Sequence, residues 1–68
     1  MTLYKFSIRW KGEKDFYPTT LFYSMRQAVH KANNVPCEVR IQKIGCSIEQ
    51  LYGAYPNLRR IKAGFLLR

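Results

Sequence analysis

The sequence predicts an α+β domain, a small antiparallel sheet of three to four strands with one α-helix packed on its aromatic face. Three observations carry that expectation. The opening stretch LYKFSIRWK, residues 3–11, alternates apolar and polar residues with a period of two, the pattern of a strand with one buried face. The stretch SMRQAVHKANN, residues 24–34, spaces its apolar residues at helical intervals behind a serine cap. The chain has 68 residues, enough for one sheet and one covering helix around a single core.

Each element has its own signal. In the first strand Tyr4, Phe6, Ile8 and Trp10 fall on one parity, and Lys5, Ser7, Arg9 and Lys11 on the other. KGEKD, residues 11–15, reads as a turn because Gly12 frees the backbone and the charges keep it in water. FYPTTLFYS, residues 16–24, is aromatic and β-branched and reads as a second strand, paired with the first as a hairpin. Pro18 cannot donate a ladder hydrogen bond, so this strand is expected at an edge or starting after the proline.

A helix over 25–34 follows. Ser24 and Gln27 have the S-x-x-Q spacing of a capping box. Met25, Ala28, Val29 and Ala32 form the expected buried stripe. Asn33 or Asn34 is expected to close the helix in the left-handed conformation, with Pro36 preventing its resumption. CEVRIQKIG, residues 37–45, is a third strand, with Cys37, Val39 and Ile41 on one face and Glu38, Arg40 and Gln42 on the other. Its alternation breaks at Lys43–Ile44, where a bulge or the strand's end would return Ile44 to the core. Ser47 and Gln50 repeat the capping box ahead of a helix of about two turns that Pro56 ends. The tail NLRRIKAGFLLR, residues 57–68, fits a helix or a strand by period. A fourth strand is preferred because Gly64 sits badly in a helix. The expected order is β-β-α-β-short α-β in one domain over residues 1–68.

Twelve Lys and Arg against four Asp and Glu give a net charge of +8, which favours acidic partners. The small residues of the helix stripe complement large rings, so the aromatic column is expected in the core and not as a stacking platform for bases. The opposite face then carries Lys5, Arg9, Lys11 and Arg40. Arg59, Arg60 and Lys62 join as a second basic run. Lys5 and Arg9 would stand about 13 Å apart along the strand, a spacing suited to phosphate contacts that hold without reading sequence. A weaker helix-turn-helix cadence over 47–64 would present Arg59, Arg60 and Lys62 on a second helix.

No catalytic, cofactor-binding or metal-binding motif is present in the sequence. His30 is the single histidine, and the carboxylates Glu13 and Asp15 share a turn without an apolar pocket to shift them toward acid–base work. Cys37 and Cys46 would lie about 30 Å apart at the ends of one strand, against the ~5.5 Å a disulfide requires, so two reduced thiols are expected. No apolar run approaches the ~20 residues of a membrane span, and Lys5 and Arg9 interrupt the N-terminal apolar stretch against a signal peptide. These features predict a cytoplasmic, non-enzymatic nucleic-acid-binding domain without cofactor or metal. The alternative is an inhibitor that uses the same surface on a nucleic-acid-processing protein complex. In size, basicity and element order the chain is similar to small phage-encoded inhibitors such as anti-CRISPR proteins, a likeness that transfers no residues. A homo-oligomer built on the second strand's edge is a third expectation.

Overall fold

A computed structural model describes residues 1–67. It has five strands and two helices: β1 (Thr2–Arg9), β2 (Tyr17–Phe22), α1 (Met25–Ala32), β3 (Glu38–Gly45), α2 (Ile48–Ala54), β4 (Arg59–Ile61) and β5 (Gly64–Leu66). The strands form one antiparallel sheet in the order β3-β1-β2-β5-β4. The α+β class and the order of the first five elements agree with the sequence expectation, while the packing of the second helix and the fifth strand go beyond it.

The tail folds back on itself. Lys62 and Ala63 turn the chain between β4 and β5, so residues 59 to 66 make a hairpin where a single fourth strand was expected, and the helix-turn-helix reading is excluded. Arg68, the last residue of that tail, lies outside the described residues. The hairpin docks through β5 on β2, which puts β2 in the centre of the sheet. Pro18 is accommodated because it lies at the start of β2, where that strand faces β1 alone, beside a register shift between Phe6 and Ser7. The free edges are β3 and β4, and the dimer edge expected on β2 is already occupied.

The sheet buries apolar residues on both faces. On one face Phe6, Phe22 and Ala28 form a core with Tyr4, Ile8, Ala32, Val35, Val39 and Ile41 around it. Phe6 and Phe22 meet edge to face with centroids 5.7 Å apart. This is the expected seat of α1 on the aromatic column. On the other face Leu3, Leu21, Leu51, Leu58 and Phe65 form a second core, with Ile44 and Cys46 against it. Here α2 packs through Leu51. Ile44 pairs directly with Leu3 in an unbroken β3 register, so no bulge returns it to the first core. Its change of parity marks the second one.

Several single residues depart from expectation. Trp10 lies beyond the end of β1 and is 49% exposed. Met25 and Val29 are also exposed, at 43% and 45%, so the buried helix stripe narrows to Ala28 and Ala32. Asn33 ends α1 with right-handed φ −69°, and no non-glycine residue among those described has positive φ. Asn34 instead caps with its side chain, its Nδ2 donating to the His30 carbonyl at 2.8 Å. Both cysteines are free and half-buried.

Candidate nucleic-acid interface

The register sorts the basic residues between the two faces, since directly opposed residues of antiparallel strands point the same way. Lys5 pairs with Gln42 and Leu21, Ser7 with Arg40, and Arg9 with Glu38. Lys5, Arg9 and Arg40 therefore share one face, as the alternation implies. That face is not an uninterrupted basic surface. The second core and α2 occupy its other half, and Ser7 is only 3% exposed. Arg9 is engaged by Glu38: its Nε donates to Oε2 at 2.7 Å, and its terminal nitrogen binds the same oxygen. This is the one salt bridge among the described residues. The Arg9 guanidinium also lies 4.7 Å from the centroid of Phe16, and that of Arg40 lies 5.5 Å from the same ring. The ring attracts both guanidinium groups by cation–π interaction, and Arg40 is the exposed member of the pair.

The remaining predicted residues scatter. Lys11 is exposed in the β1–β2 turn beside Gly12, whose φ of +92° a side chain rarely adopts. Arg60 opposes Phe65, which opposes Leu21, placing it on the Lys5 face but three strands, or roughly 14 Å, away. Arg59 opposes Leu66 and through it Thr20, so it belongs to the α1 face. Lys62 is exposed in the hairpin turn.

A second basic surface lies on the α1 face. A cleft of about 560 Å³ runs between α1 and the β4–β5 turn, lined by Phe22, Arg26, Gln27, His30, Lys31 and Ala63 among others. Its size falls within the roughly 300–1,000 Å³ of small-ligand sites. Arg26 and His30, and Gln27 and Lys31, are four residues apart and so share one side of the helix. α1 touches β1, β2 and β3, which leaves the β5–β4 part of this face uncovered and Arg59 exposed there. No carboxylate lines the cleft.

The sequence reading missed Arg26, His30 and Lys31, though a signal for them was present. Residues 16–37 contain no Asp or Glu, and neither do residues 50–68. Those stretches supply β2, α1, β4 and β5, which meet around the cleft. Glu13, Asp15 and Glu38 gather at the opposite end of the sheet, around the β1–β2 turn and the start of β3. There Glu13 organises the turn, accepting from the Trp10 backbone N–H at 3.3 Å and from the Tyr17 hydroxyl at 2.6 Å. The Tyr17 phenol is raised above its ordinary value, first by this hydrogen bond and then by the negative charge of Glu13.

The chain is thus a small α+β domain with an acid-free basic cleft. No family model, curated protein or solved structure matches it. Among the described residues no group of three or more His, Cys, Asp or Glu is placed to hold a metal ion, and no helix is long and apolar enough to cross a membrane.

Proposed function

We propose that this protein is a non-enzymatic nucleic-acid-binding domain that holds the phosphate backbone through mainly sequence-independent contacts. The observation that supports it is the segregation of charge: Arg26, Lys31, Arg59 and Lys62 lie around a side of the molecule built wholly from acid-free segments. Cations gathered without intervening carboxylates add their potentials and attract a polyanion, whereas interspersed signs would cancel. On the other face Lys5 and Arg40 are secondary contacts, Arg60 stands apart from them on the far edge strand, and Arg9 contributes less because Glu38 already engages it.

Phosphate contacts release counterions, so affinity must fall steeply with salt. Neutralising four phosphates gives a log–log slope of about −4 on duplex DNA and about −3 on a single strand. Fluorescence anisotropy of labelled duplex DNA, single-stranded DNA and RNA, titrated at several salt concentrations, tests the reading. Binding in the micromolar range or tighter, with such a slope, supports it. Flat titrations at moderate salt overturn it. Tight, salt-tolerant one-to-one binding to a nucleic-acid-processing protein complex would mark the inhibitor reading instead.

A further inference from the structure

We infer that the cleft between α1 and the β4–β5 turn seats one unpaired nucleotide, with its phosphate on the Arg26, His30 and Lys31 rim and its base inside. This rests on the nucleic-acid reading above and adds where, and in what state, the strand is held. The decisive feature is Gln27. In α2 the S-x-x-Q motif closes as a full capping box: the Gln50 backbone N–H donates to Ser47 Oγ at 3.2 Å, and Gln50 Oε1 accepts from the Ser47 backbone N–H at 3.0 Å. In α1 only half of the box forms. The Gln27 backbone N–H donates to Ser24 Oγ at 3.3 Å, but Gln27 Oε1 is buried without a hydrogen-bond partner. A buried acceptor is costly to leave unsatisfied, and this one belongs to a residue lining the cleft.

The cleft therefore combines three recognition elements. Arg26, His30 and Lys31 supply nitrogen donors for an anion. Phe22 and Ala63 supply apolar contact. Gln27 Oε1, buried and without a partner in the unliganded chain, supplies an acceptor for an N–H group once its side chain turns toward the cleft. A nucleotide presents all three complements: an anionic phosphate, an apolar base body and N–H donors on the base edge. Seating the base body inside the cleft takes it out of the duplex stack, so the nucleotide must be unpaired. A simple anion would use the rim and leave the acceptor unmatched. From the rim the strand continues toward Arg59, which is exposed on the same face.

The test compares a labelled single-stranded DNA of mixed sequence with its duplex, against the native chain and three variants whose folding is checked by thermal melting. The double variant R26E/K31E should weaken single-strand binding more than tenfold and flatten the salt slope by about 1.4, two phosphate contacts being lost. Gln27→Met should weaken it about three- to tenfold with the slope unchanged, the loss of one hydrogen bond, and should leave the melting temperature equal or higher. Lys14→Glu, in the acidic turn, should change affinity less than about threefold. Native affinity in both the R26E/K31E and Gln27→Met variants, or equal binding of duplex and single strand with Gln27→Met unaffected, would overturn the cleft assignment while leaving nucleic-acid binding intact. A native chain that binds neither probe would overturn both readings.

Discussion

Gly64 is the residue whose substitution tests the tail hairpin most sharply. A Cβ built there would overlap the carbonyl oxygen of Leu21, and its φ of +157° is one that side chains rarely adopt. β5 can approach β2 at this point only because the side chain is missing. Gly64→Ala should destabilise the fold by roughly 2–3 kcal/mol. Gly53→Ala should instead stabilise it by up to about 1 kcal/mol, because Gly53 is helical and its Cβ would meet nothing. Urea unfolding of the two variants checks the contrast, and equal effects would contradict the hairpin. At the other end of the sheet, Tyr17 should titrate above the ordinary tyrosine value, and Glu13→Gln should bring it down. Because the folded-state value is raised, the Tyr17–Glu13 bond supports the turn below the ordinary tyrosine value of about 10 and is lost as pH rises through the raised one. An ultraviolet titration of both proteins reads the shift. No change on removing Glu13 would contradict the bond.

The helices differ in how they are held. α1 covers the sheet through small residues, Ala28 and Ala32, while Met25 and Val29 of the expected stripe stay in solvent. α2 is shorter but carries a complete capping box and plugs the second core with Leu51, which is 1% exposed. Leu51→Ala should therefore cost about 2–5 kcal/mol, whereas Val29→Ala should change stability by less than about 0.5 kcal/mol. Denaturant midpoints would show it, and a Val29 cost comparable to Leu51 would restore the wider stripe. Most elements were legible from the sequence because their signals are local: strict alternation in residues 4–11, the two S-x-x-Q boxes, and Pro36 and Pro56 as terminators. The tail was not, because hairpin, strand and helix share its short apolar spacing, and only docking on β2 decides among them. The second core was signalled at Leu3 and Ile44, whose parity opposes that of their strands' other apolar residues. A one-core reading turns that signal into a bulge.

On the scale of the whole molecule, the two cores lie on opposite faces of the sheet, and each covering helix leaves part of its own face open. One opening holds Arg9, Phe16 and Arg40 with Glu38 among them, and the other is the acid-free cleft. Alternation correctly put Lys5, Arg9 and Arg40 on one face, but a strand pattern cannot show that α2 covers half of it. Nor can it show that α1 and a returning tail place Arg26, His30 and Lys31 along one cleft. The acid-free runs at 16–37 and 50–68 were the legible trace of that surface, and they acquire meaning once β2, β5 and β4 are known to be neighbours. On the proposed function, this acid-free side of the molecule is the one that meets nucleic acid. The most direct measurement is a map of backbone amide chemical shifts on titration with a single-stranded oligonucleotide. Changes should concentrate at residues 26–34 and 59–64. Changes confined to Lys5, Arg9 and Arg40, or none at all, would contradict that assignment.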